Sequence, residues 1–187
     1  MTVPLHDIEV RATAVLTKAN ALTAPVPVEQ VAHSLGAQLH QEPLEDHLSG
    51  MLVCKGDSLH IVVNAGHHPN RKRFTVAHEC GHLVLHHGSE DRLFVDTQYR
   101  VYHRTGSTQS PAYASAQSTT TPEEEREANL FASALLMPRS LIEQQVRSLN
   151  IDLTDEIGVS TLAITFGVSE QAMSIRLQQL GLLHLPA

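Results

Sequence analysis

Residues 75–87 read TVAHECGHLVLHH, with four histidines (His78, His82, His86 and His87) inside the last ten positions. The stretch has the length of a helix and no breaker other than Gly81. On a helix, residues four apart share a face and are separated by a rise of roughly 6 Å. His78 and His82 therefore project from adjacent turns and can converge on one cation, while Glu79 lies one step round. This is the HExxH arrangement, in which two imidazoles hold Zn²⁺ and the carboxylate serves as general base toward a water. Such a site predicts hydrolytic chemistry, with Glu79 taking a proton from water and returning it to a leaving amine.

A zinc site of this kind needs a third protein ligand. His86 stands two full i+4 steps from His78, about 12 Å along the axis, too far to share one ion with both. The extension HExxHxxGxxH fails as well, since position 85 is Leu and position 88 is Gly. His86 and His87 are expected at the helix end, partly solvated and near the C-terminal dipole. Cys80 sits roughly 200° round from His78 and is expected in the core.

The better candidate lies in EEEREAN, residues 123–129. The apolar stripe of that segment is Ala128, Phe131, Ala132 and Leu135. Glu124 and Glu125 flank it at 100° steps, and Glu127 points away. Glu125 is taken as the third ligand, with Asn129 four residues on and placed to hydrogen-bond a ligand imidazole. Glu124 and Glu127 are read as a solvated first turn that favours the helix dipole, and stand as alternatives for the third position.

Working outward, Asp7 to Leu22 has helical spacing of Ile8, Ala12, Val15, Leu16, Ala19 and Leu22. Pro27 and Gly36 bracket a short helix with the stripe Val28, Val31, Ala32 and Leu35. SGMLVC (49–54) and LHIVVN (59–64), separated by KGDS, read as a hairpin. The second of these strands is either an exposed edge, to which an extended peptide can add, or an internal strand. Residues 105–121 are rich in Ser, Thr and Ala without periodicity, a surface loop. Thr121, Pro122 and Glu124 then spell a capping box that opens a helix ending at Pro138. A further helix has Leu141, Ile142 and Val146 as its apolar positions. Residues 158–183 follow the order helix, Gly turn, Ser cap, helix, Gly stop, a helix-turn-helix cadence. The fold class expected is α+β. Residues 1–138 form the main domain, and 139–187 a helical, helix-turn-helix-like segment.

Composition limits the function classes. The 42% apolar content supports a core, and 4% aromatic with no Trp makes it mainly aliphatic. A net charge of −7 gives no electrostatic reason to seek nucleic acid or an anionic membrane. From Ile151 onward the carboxylates Asp152, Asp155, Glu156 and Glu170 face Arg176 as the one Lys or Arg, so direct DNA binding is not expected. There is no signal-peptide pattern and no apolar run long enough to span a bilayer. The two cysteines, Cys54 and Cys80, lack CxxC spacing, which fits a reduced cytoplasmic protein. Tyr99, Tyr102, His103, Arg104 and Tyr113 lie between the two motifs, and none is singled out as an oxyanion donor. Oligomeric state is not legible.

RFTVAHECGHLVLHH (73–87) followed by EREANLFASALLMP (125–138), with SGML, IVVN and VEQVAHSLGA before them, resembles the ImmA/IrrE family of bacterial zinc metallopeptidases. The resemblance runs from about Val28 to Leu183. It implies a zincin-like core with His78, His82 and Glu125 as zinc ligands and Glu79 as catalytic acid/base. Asn129 stands where thermolysin-type relatives have Asp. The donor set suits zinc and also accepts manganese. The resemblance further implies a protein substrate, a helix-turn-helix repressor of the XRE class, whose cleavage derepresses stress-response or mobile-element genes. A non-hydrolytic antirepressor or toxin–antitoxin-type partner-binding protein is the alternative.

Overall fold

The computed structural model describes residues 3–86, 92–97, 120–153 and 155–183. Among these the chain forms α1 (Leu5–Lys18), α2 (Val28–Ser34), β1 (Ala37–Glu42), β2 (Leu48–Lys55), β3 (Ser58–Asn64), α3 (Pro69–Leu85), β4 (Arg92–Thr97), α4 (Pro122–Leu136), α5 (Arg139–Ser148), α6 (Glu156–Phe166) and α7 (Glu170–Gln179). The architecture is α+β: one small mixed sheet, with helices packed on it and on one another. The expected loop falls almost wholly outside the described residues, as do His87 and the residues considered as oxyanion donors.

Several helix ends follow from local chemistry. At α4 the Thr121 hydroxyl accepts from the Glu124 amide and the Glu124 carboxylate accepts from the Thr121 amide, with Pro122 in the first turn. The side chains of Asp155 and Ser169 accept from the amides of Ile157 and Ala172 and cap α6 and α7, and Gly167 in the left-handed conformation (φ 63°) ends α6. The first helix stops at Lys18, short of the expected Leu22, which is exposed. The chain bends away there so that Ala19 and Ala21 enter the core instead.

The sheet order is β1-β3-β2-β4, with β1 parallel to β3 and the other pairs antiparallel. The hairpin of β2 and β3 was legible from its β-rich runs, but both flanking strands were not. β1, AQLHQE, has only Ala37 fully buried, so its place comes from backbone pairing with β3 rather than from an apolar face. This pairing makes β3 an internal strand, which rules out the edge reading of residues 59–64. The sheet edges among the described residues are β1 and β4.

Helix α3 lies between the sheet and α4 and is buried all round from Thr75 to Leu83. Two glycines allow this. A Cβ at Gly50 of β2 would meet the Thr75 methyl at 2.5 Å and the Val62 carbonyl oxygen at 2.6 Å. A Cβ at Gly81 of α3 would lie 3.0 Å from Ala128 Cα and 3.1 Å from its carbonyl oxygen, so the two helices touch backbone to backbone here. Gly81→Ala is therefore expected to destabilise the protein by about 1 kcal/mol. The cost of overpacking, about 1–3 kcal/mol, outweighs the roughly 1 kcal/mol gained in helix propensity. It should also weaken cation binding by separating α3 from Glu125. A urea titration and a zinc titration check this; a stabilised variant with unchanged affinity would contradict the close packing.

The C-terminal helices are tied into this core. Arg176 of α7 is fully buried, forms a two-pronged pair with Glu9 of α1 (2.6 and 2.9 Å) and donates to the Met137 carbonyl at 3.0 Å. Arg73 of α3 donates to the carbonyls of Phe166 (3.3 Å) and Gly167 (3.2 Å) at the end of α6, and to Val26 at 3.0 Å.

Candidate metal centre

The i,i+4 geometry of α3 and its burial bring His78 and His82 together beneath α4. Their Nε2 atoms are 3.0 Å apart. Glu125, in the first turn of α4, completes the group: Oε2 lies 3.4 Å from His78 Nε2, and Oε1 lies 3.6 Å from His82 Nε2. All three ligand atoms fall within 4.8 Å of one another. Zinc bonds of about 2.0–2.1 Å at tetrahedral angles put donor atoms roughly 3.3 Å apart, so the spacing found here suits one small divalent ion. The donor set, two imidazoles and one carboxylate, is also that of a catalytic zinc site with a position left for water.

Each ligand is oriented by neighbours. His78 Nδ1 lies 3.1 Å from Asn129 Oδ1; in the tautomer that donates there, Nε2 keeps its lone pair for a cation. The His82 ring stacks on Phe94 of β4 with centroids 4.7 Å apart and 30° between planes. Thr120 hydrogen-bonds Glu125. Phe94 and Thr120 were missed from sequence. The alternation in RLFVDT was a usable strand signal for the first, and nothing local marks the second.

Glu79 is 0% exposed in the middle of α3. A carboxylate in that setting is costly to place and marks a candidate functional group. Cys80 is a core residue: burial, then the charge of Glu79, pushes its thiol up to about 12, so it stays protonated and apolar in behaviour.

The alternatives for the third ligand separate cleanly. Glu124 is occupied in the capping box. Glu127 does point away from the cluster, but the expectation of a solvated carboxylate is wrong. It is 3% exposed, accepts from the Val3 amide at 2.6 Å and lies 3.7 Å from His86 Nε2. The reason is a second layer: α1 packs on the side of α4 that the sequence left open. His86 is the helix-end residue expected, capping α3, but its side chain is only 7% exposed.

At Glu125, burial opposes the charge, but hydrogen bonds from His78 and Thr120 and the charges of His78 and His82 outweigh it, lowering the carboxyl from 4.5 to about 2. A folded pKa below the unfolded value stabilises the ion-free protein above about pH 4.5, and this contribution is lost as pH falls through about 2. The lowered Glu125 carboxyl leaves proton competition for a cation chiefly to the imidazoles, which must be deprotonated to bind it. Zinc affinity is therefore expected to fall as pH is lowered, because each imidazole must lose its proton to bind. A competitive chelator titration from pH 5 to 8 measures this. Affinity undiminished at pH 5 would remove both histidines from the ligand set.

Residues 32–178 match the family described as the IrrE N-terminal-like domain, peptidase M78. No curated protein matches the chain. Among solved structures, a Mycobacterium tuberculosis transcriptional regulator superposes with a TM-score of 0.56 at 18% identity, over 92% of this chain and 46% of that one. The chain thus spans about half the length of that protein, and the likeness is one of fold.

Proposed function

Since the chain belongs to the IrrE N-terminal-like, M78 peptidase family, we propose that it is a zinc-dependent endopeptidase acting on a regulatory protein. The observation that carries this reading is the grouping of His78, His82 and Glu125 around one point, with the buried Glu79 on the same helix. A divalent cation bound there supplies Lewis acidity and brings the pKa of a water from 15.7 to about 7. His78, His82 and Glu125 hold the ion. Asn129 and Phe94 fix the two rings. Glu79 takes up a proton on its carboxylate during attack and returns it to the departing amine.

For the substrate we favour a helix-turn-helix repressor, whose cleavage would release stress-response or mobile-element genes. The family resemblance supports this, and the likeness in fold to a transcriptional regulator is compatible with a transcriptional setting. The helix-turn-helix-like C-terminal segment does not suggest DNA binding by the chain itself. Arg176, its one Lys or Arg from Ile151 onward, is buried against Glu9 and has no access to phosphate. Salt-dependent DNA affinity of the full chain would count against this. No helix among the described residues is long and apolar enough to cross a membrane. Cys54 and Cys80 are buried and form no disulfide with each other, which supports a cytoplasmic location.

The test is cleavage. Zinc-loaded chain and its Glu79→Gln variant are incubated with the helix-turn-helix repressor encoded nearest to it, and fragments are read by mass spectrometry. Fragments from the wild type alone support the peptidase. An intact repressor that loses its operator with both proteins would mean a non-hydrolytic antirepressor, or a toxin–antitoxin-type partner.

A further inference from the structure

A cavity of about 560 Å³ opens directly beside the metal cluster, between α4 and α7. Two of its lining residues belong to that cluster: Glu125, a ligand, and Asn129, which holds the His78 ring. Its lining is apolar at Phe74, Leu130, Met137 and Ile175 and polar at Arg126, Ser169, Gln171 and Gln179, with Glu125 its one carboxylate. We propose that this groove is the side-chain subsite next to the scissile bond, and that it selects substrates with a bulky aliphatic or aromatic residue there. The proposal rests on the peptidase reading above, whose substrate it narrows.

Three observations favour this occupant. The groove shares Glu125 and Asn129 with the candidate cation site, so a peptide whose carbonyl reaches the ion finds the α4 surface of Leu130 and Ser133 open to its neighbouring side chain. The cavity is within the usual range for ligand sites, roughly 300–1,000 Å³, and exceeds what one side chain fills, leaving room for the next apolar residue of the peptide as well. Finally, Ile175 is 47% exposed on a helix that has no freedom to turn it inward, because Arg176 beside it is locked to Glu9 and Met137. Arg73 holds the preceding turn to α3, the helix that carries His78 and His82. The wall formed by α7 is thereby fixed relative to the cation ligands. The C-terminal segment thus acts as part of the substrate cleft.

The test uses zinc-loaded full-length protein and three synthetic dipeptide hydroxamates that differ only in the side chain nearest the zinc-binding group: Gly, Leu or Phe. Affinities are read by calorimetry, so the readout is binding and not turnover. The Leu and Phe compounds are expected to bind the wild type at least about tenfold more tightly than the Gly compound, as burial of one such side chain implies. Ile175→Glu and Ser133→Phe, which place a charge in the groove and fill it, should abolish that difference while keeping affinity for the Gly compound. The control Ile164→Glu alters an isoleucine 78% exposed on α6 and absent from the groove; it should preserve the difference. Equal binding of all three compounds by the wild type would overturn the proposal alone, and would be the result if a second copy or another part of this chain filled the groove. Failure of every hydroxamate to bind zinc-loaded wild type would overturn the cation-site reading and the proposal together.

Discussion

Glu79→Gln is expected to lower peptide-bond hydrolysis by about 10³-fold, within the range of about 10²–10⁴ that a positioned general acid–base contributes. Zinc affinity should change by less than about threefold. The amide is nearly the same size as the carboxylate, so the packed interior of α3 tolerates it, and Glu79 is not among the three grouped donors. What it removes is the capacity to accept a proton at neutral pH. The variant separates two roles that a ligand substitution confounds, since losing His78 or His82 removes the ion and the activity together. Rates are measured on the cleaved repressor or a fluorogenic peptide derived from it, and zinc by chelator competition. A variant that retains more than about a tenth of the wild-type rate would exclude Glu79 as the base.

Glu9→Ala is expected to cost about 3 kcal/mol of folding stability, although it lies far from the cation ligands in sequence. Removing the carboxylate leaves the guanidinium of Arg176, fully buried, with the Met137 carbonyl as its remaining partner among the described residues. Breaking a buried pair from one side costs about 3–5 kcal/mol; the lower figure applies because the Glu9 side chain is 26% exposed and water can reach that side. The urea midpoint should fall by roughly 1–2 M with an unchanged slope. The double variant Glu9→Leu, Arg176→Met should recover much of the loss, because two apolar side chains can replace a buried pair. A loss under about 0.5 kcal/mol would mean that α7 is not locked to α1 in solution. The wall of the groove beside the cation site would then be loose as well.

The parts of the site that sequence made legible are those governed by one turn of helix. Four-residue spacing puts His78 and His82 on a common face whatever surrounds them, and the Thr121–Glu124 capping box sets the start of α4 from within its own first turn. The step from Glu125 to Asn129 is local in the same sense, and both meet the His78 ring. Resemblance to a family of metallopeptidases also came from these short stretches, since they contain the chemically unusual residues.

Other features depended on which surface each element covers. Glu127 looked solvated because 100° steps place it away from the core stripe, yet α1 packs there and buries it. Residues 59–64 form an internal strand because β1, nearly devoid of apolar signal, pairs with them through its backbone. Phe94 of β4 meets His82 where α3 packs on the sheet, and α7 supplies one wall of the groove by way of a buried ion pair 167 residues apart. Local spacing alone therefore determined what the helix of His78, Glu79 and His82 can do chemically, because helical geometry is a property of the backbone. Tertiary packing alone decided the enclosure of the site, the burial of Glu127 and the shape of the cleft, because these arise where surfaces from distant segments exclude water together.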